Sequence, residues 1–223
     1  MAPVGLYTQA ILMLAALVLF TSFALLAQAR MAALIRLFAW QGALLAVTTA
    51  LVALVTHQPR LYLSALLTLG LKALLIPWFL NRLVIRLDLV HETEDLRGNA
   101  VILLGAAALT VFSYYVVMPI MALSTLVTRN VIAVSLAIVL LGMLLIIVRR
   151  KAVTQVVGFM CMENGLFFAA VVSTYGMPMV VELGIAFDVL VAAILFGVFF
   201  LHIRDSIDSL DVDRLSRLRE ADE

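Results

Sequence analysis

The sequence predicts an all-α fold: a polytopic membrane helix bundle of about seven transmembrane helices, with the N-terminus outside and the C-terminus inside. Three observations carry this reading. The 223 residues are 65% hydrophobic and only 13% charged, where soluble domains hold about 45–50% apolar and about 25% charged residues. The apolar residues come in blocks of ~20, the length a helix needs to cross a hydrocarbon core ~30 Å thick. These blocks are apolar all round instead of carrying the single stripe of a soluble core helix. Finally, the cationic residues alternate from one connection to the next, as the positive-inside bias requires.

Seven spans fit the blocks, at roughly 8–29, 32–56, 61–82, 99–118, 131–148, 152–174 and 180–202. The start, Met1-Ala2-Pro3-Val4-Gly5, has no basic region, and the apolar stretch behind it is too long for a signal-peptide core, so it is expected to stay as the first span. In the third span Pro77 follows Lys72 by five residues. Its ring removes one helical hydrogen bond and frees the carbonyl of Ala73, which predicts a kink beside the lysine. The connection 83–98, from Leu83-Val84-Ile85-Arg86 to His91-Glu92-Thr93-Glu94-Asp95, mixes both charge signs with apolar residues and predicts an amphipathic segment at the cytoplasmic surface. Pro119 to Asn130 is itself mostly apolar, with Arg129-Asn130 as the polar break, so an interfacial helix or a longer span is an alternative there. A short turn around Gly176-Met177-Pro178 joins the last two spans and predicts that they pack antiparallel.

With the N-terminus outside, the cytoplasmic segments collect Arg30, Arg36, Arg82, Arg86, Arg97, Arg149, Arg150, Lys151, Arg204, Arg214, Arg217 and Arg219, against Arg60 and Arg129 outside. Twelve against two holds through every loop of a seven-span chain, and six or eight spans would break it. Past Arg204, the residues Ile207, Leu210, Leu215 and Leu218 recur at helical spacing among charges, with Asp205 or Ser206 as a cap. Either a solvated tail or a docking helix for a cytoplasmic partner fits. The chain thus divides into N-terminal transmembrane helices (1–130), a three-helix part (131–203) and a cytoplasmic tail helix (204–223).

Several function classes drop out. A net charge of +1 offers no basic patch for nucleic acid. The one cysteine, Cys161, sits inside an apolar block and has no disulfide partner. His57, His91 and His202 lie apart without metal-ligand company, and no nucleotide, flavin, haem or iron–sulfur motif is present. The chain is therefore expected to bind no cofactor and to run no redox chemistry of its own.

What remains are charges where charges are expensive. Lys72, Glu163 and Asp188 fall well inside spans, where an ionised side chain costs roughly 2.5–3.5 kcal/mol on insertion scales. A rise of ~1.5 Å per residue puts all three near the midplane. Each must face protein or water, pair, or titrate. A row of such groups bridged by water moves protons along a membrane, and the alternative is that Lys72 pairs with one carboxylate as packing glue. Gly165, just after Glu163-Asn164, lets a neighbouring helix or water come close. Glu182 sits at the outer end of the last span and reads first as a boundary residue.

The last third of the chain resembles a known arrangement. Arg149-Arg150-Lys151, an apolar span with Glu163-Asn164, then a span with Asp188 and a basic exit are similar to subunit K of proton-pumping NADH:quinone oxidoreductase (complex I) and to the small C subunits of multisubunit cation/proton antiporters. Aligned on Arg149-Arg150, Asn164 falls on that family's asparagine. Met160 takes the place of its usual glutamate, Glu163 stands about one turn along the same face, and Asp188 only approximately replaces the second acid. Glu182-Leu183-Gly184, Phe187-Asp188-Val189-Leu190-Val191 and the tail Asp208-Ser209-Leu210-Asp211 make the whole chain resemble the hydrogenase-4 component E family, in which extra N-terminal helices precede a subunit-K-like part.

That resemblance implies a non-redox subunit of an energy-converting hydrogenase complex in a bacterial inner membrane. Its partners would be antiporter-like membrane subunits, a membrane anchor subunit and a cytoplasmic hydrogenase arm, with the nickel–iron (NiFe) centre and iron–sulfur clusters held by those partners. Glu163, Asp188, Lys72, Asn164 and Glu182 would then belong to a proton or cation path. Two other readings stay open from the residues alone: a stand-alone small ion transporter, and a structural scaffold subunit. Against the first stands the lack of an inverted repeat or of matched broken helices in the two halves.

Overall fold

The computed structural model describes residues 2–86, 99–119, 126–173, 184–194 and 197, and all of its elements are helical. In chain order they are α1 (Ala2–Ala27), α2 (Met31–Thr56), α3 (Pro59–Thr68), a π-helical turn (Leu69–Leu75), α4 (Ile76–Arg86), α5 (Asn99–Val117), α6 (Leu126–Val148) and α7 (Ala152–Ser173), then α8 (Gly184–Ile194). Six stretches among the described residues are long and apolar enough to cross a membrane: Gly5–Ala27, Met31–Thr56, Pro59–Ile85, Ala100–Val117, Asn130–Val148 and Ala152–Val172. α8 lies inside the expected seventh span.

Helices dominate because lipid offers nothing to bond an exposed backbone group, so each segment must satisfy its own. The hydroxyls obey the same constraint. Thr21, Thr48, Thr49, Thr56 and Thr110 each donate to a carbonyl three or four residues back, at 2.7–2.9 Å.

α6 and α7 form the most extensive helix pair, and α2 packs against α1, the third span and α7. Small residues let α6 and α7 approach closely. A Cβ at Gly142 would fall 2.5 Å from the Met162 amide nitrogen, and one at Gly165 would fall 2.9 Å from the Ser135 carbonyl oxygen. Gly165 therefore serves a neighbouring helix. Around these contacts Val18, Phe38, Leu45, Ile76, Ile138, Met160 and Phe168 build a continuous apolar core. α7 is the central helix, with 67% of its span buried, and α5 is peripheral, with 17%.

Two connections are built by specific residues. His57 adopts φ 52°, ψ 29° to end α2, and Pro59 starts α3 one residue after Gln58. At the opposite end, the Arg149 side chain is buried and donates to the carbonyls of Leu26 (3.0 Å) and Gln28. A guanidinium there meets the negative end of α1, and it brings the α1–α2 and α6–α7 connections to one end of the bundle.

The structure redraws some expected boundaries. α6 begins at Leu126, so Arg129-Asn130 lies in its first turns instead of marking the break. Leu83 to Arg86 prolong α4, while the rest of the connection 83–98 lies outside the described residues. So do Glu182 and the tail 204–223.

Candidate functional site

The third span meets its own proline in an unexpected way. The helix widens over Leu69–Leu75 into a π turn, closed by the Ile76 amide donating to the Leu71 carbonyl five residues back. Pro77 has no amide to give and its ring crowds the carbonyl of Ala73. The strain expected as a kink is taken up as a wide turn on its N-terminal side, and Lys72 lies in that turn. π turns of this kind recur at functional sites. The turn rests on α2 at Gly42, where an added Cβ would lie 2.9 Å from the carbonyl carbon and from the Cβ of Lys72.

From this turn Lys72 reaches the centre of the bundle, with no exposed surface. Its Nζ forms an ion pair with Glu163, lies 3.4 Å from Oδ1 of Asp188, donates to Oδ1 of Asn164 at 2.9 Å and stands 5.0 Å from the centre of the Phe167 ring. The three charges expected at matching depth therefore meet, and Lys72 engages both acids. With both carboxylates ionised the trio carries one uncompensated negative charge, which a single proton or monovalent cation cancels.

The three ionisable groups differ in access. Asp188 is fully buried, and both its oxygens lack a hydrogen-bond partner among the described residues. Glu163 keeps 11% of its side chain exposed. It lines an open hollow of about 320 Å³ between α7 and α8, whose other lining residues are Phe159, Met162, Leu166, Phe167, Gly184 and Phe187. An acid facing an apolar hollow is the one polar outlet of the cluster in that direction.

In the other direction the cluster continues through neutral groups. Asn164 Nδ2 donates to Gln41 Oε1 at 3.0 Å. Gln41 Nε2 donates to Ser22 Oγ at 2.8 Å and to Cys161 Sγ at 3.5 Å, and Ser22 Oγ donates to the Val18 carbonyl at 3.0 Å. An ammonium can only donate. It therefore fixes the Asn164 carbonyl toward Lys72, which turns the amide of Asn164 to Gln41 and sets every bond down to α1. The result is a buried polar strand running from α8 through α7, the π turn and α2 to α1.

Sequence reasoning identified Lys72, Glu163, Asn164 and Asp188, which the fold brings together, and it missed Gln41, Ser22 and the polar surroundings of Cys161. The available signal was an amide in mid-span, Gln41, which is costly in lipid unless it is bonded.

No family model matches the chain, and no solved structure does. Among curated proteins it is 35% identical over 189 residues to the Uncharacterized protein Rv0085 of Mycobacterium tuberculosis, covering 84% of this chain and 86% of that one. It is 29% identical over 148 residues to Hydrogenase-4 component E of Escherichia coli K12, covering 66% of this chain and 68% of the relative. The same figures hold for Hydrogenase-4 component E of Shigella flexneri.

Proposed function

The chain belongs to the family of the mycobacterial protein Rv0085, and from that premise, with its distant likeness to Hydrogenase-4 component E, we propose that it is a non-redox membrane subunit of an energy-converting, complex I-like assembly. In the fuller form of this reading the assembly is a NiFe hydrogenase in a bacterial inner membrane. The chain sits N-terminus out and C-terminus in, beside antiporter-like subunits and a membrane anchor, with the catalytic centre and iron–sulfur clusters in a cytoplasmic arm. Its own contribution is a segment of the proton or cation path.

The observation that supports the path most directly is the asymmetry around Lys72. One acid is sealed and the other opens toward the α7–α8 hollow. A positive charge held between two carboxylates leans toward whichever is ionised. Arrival of a proton at Glu163 would release Lys72 toward Asp188, and departure would draw it back. Intramembrane acids and bases that are paired in this manner are functional candidates by default.

In the assembled complex, Glu163→Gln is expected to preserve hydrogen chemistry while ion translocation into inverted vesicles falls on the order of a hundredfold. Translocation at the unsubstituted rate would refute the role. A scaffold reading is favoured by one specific observation, the full set of partners around buried Lys72. In that case Lys72→Met combined with Glu163→Gln leaves coupling intact. Copurification of the tagged chain separates both readings from a stand-alone transporter. Antiporter-like proteins and a hydrogenase arm are expected with it, whereas the chain alone and monodisperse would favour the transporter.

A further inference from the structure

We propose a second site: the hollow between α2 and α4 binds the phosphodiester headgroup of an anionic phospholipid. The hollow measures about 420 Å³ and is lined by Ala32, Ile35, Arg36, Ala39, Pro77, Trp78 and Asn81. Apolar Ala32, Ile35, Ala39 and Pro77 line it beside the polar groups of Arg36, Trp78 and Asn81, the two kinds of surface a lipid presents in acyl chain and headgroup.

Its level suits that ligand. Arg36 lies five residues past the start of α2 and Asn81 five residues before the end of α4, so both stand about 7–8 Å inside the helix ends. Tryptophan concentrates at that depth, and Trp78 is half exposed there. The Arg82 guanidinium lies 5.5 Å from the centre of the Trp78 ring, which holds a second cation at the edge of the hollow. The Nε of Arg36 donates to the Ala32 carbonyl at 3.3 Å, which ties the side chain to its own helix and leaves its terminal nitrogens for a ligand. Among the described residues neither arginine has an ion-pair partner and no carboxylate lines the hollow. Two arginines, an amide donor and an indole around one hollow match a phosphate with two ester oxygens, and basic pockets between helices at such a level take anionic headgroups.

The test uses the full-length chain in detergent, with whatever copurifies. The sequence holds two tryptophans, so exposed Trp40→Phe makes Trp78 the chain's one tryptophan, and the same preparation with Trp78→Phe added gives the background from copurifying proteins to subtract. Brominated phosphatidylglycerol should quench Trp78 at a mole fraction about fivefold or more below that needed with brominated phosphatidylcholine, since each arginine near an anionic headgroup contributes about that factor. High salt should shrink the preference without any further substitution, and Arg36→Gln with Arg82→Gln should abolish it, while the paired lysine variants retain part of it. Equal quenching by both lipids would overturn the site. So would a preference that survives the paired glutamine variants. If inorganic phosphate removed the preference and chloride of equal ionic strength did not, the site would belong to soluble anions and not to lipid. If the preference were absent and the paired variants instead shed a copurifying subunit, the hollow would be an acidic-protein contact and the lipid assignment would fall.

Discussion

At the residue scale, Lys72 governs more than its own ion pairs. Because it can only donate, it imposes one direction on a chain of amides and hydroxyls that ends at the Val18 carbonyl. Gln41 is the link with no substitute, since it accepts from Asn164 and donates to Ser22 at once. Gln41→Leu leaves the Asn164 amide and the Ser22 hydroxyl short of partners in a dry core, and should destabilise the chain by about 1–2 kcal/mol. The midpoint of thermal or denaturant unfolding in detergent reads this directly, and an unchanged midpoint would mean the strand carries no energy. The hydropathy profile could not reveal Gln41, because one neutral amide hardly alters an apolar average and periodicity does not tell which face looks inward. Lys72, Glu163 and Asp188 were legible for the opposite reason: a charge in lipid is too costly to be incidental.

At the scale of elements, the positions of the spans followed from apolar length alone, whereas their interiors did not. Nothing in composition distinguishes an α-helical span from one with a π turn. Pro77 signalled a defect, but its form depends on α2 offering Gly42 as a seat for the Lys72 backbone. Gly42→Ala puts a methyl group where that backbone lies, which should cost about 1–3 kcal/mol if the turn must shift. Hydrogen exchange should then quicken over Leu69–Leu75 more than over α6, and coupling should fall with it. Uniform exchange across both helices would show that the turn does not depend on this contact. Arg149 taught a similar lesson. As a letter in a basic run it reads as a surface charge, yet it is buried against the end of α1.

For the whole molecule, burial is uneven: α7 is enclosed while α5 shows Val101, Leu104, Val111, Phe112 and Tyr115 outward. A flank of this kind suits lipid or a neighbouring subunit. Arg149 ties the α1–α2 and α6–α7 connections to one end, so they must share one side of the membrane. Cys161 is the chain's one cysteine and is buried, which gives a quiet background for labelling. A membrane-impermeant maleimide applied to intact cells should react with a cysteine at Gln58, and should reach cysteines at Ala29 and Arg150 only after permeabilisation. Labelling of Ala29 and Arg150 from opposite sides would contradict the fold, whereas exchange of all three would reverse only the orientation.

The π turn also bears on how such chains diverge. A widened turn holds one residue more than the α-helix that could replace it, so it behaves as a one-letter insertion that the membrane tolerates. Removing a single residue between Leu69 and Leu75 would close the turn into ordinary α-helix, leaving the two flanks of the span in register while the lysine loses its place beside the acids, with length and hydropathy scarcely altered. Relatives that differ here by one gap can therefore share the same spans and a closely similar profile while lacking the charge cluster, so descent and mechanism should be judged at this turn separately.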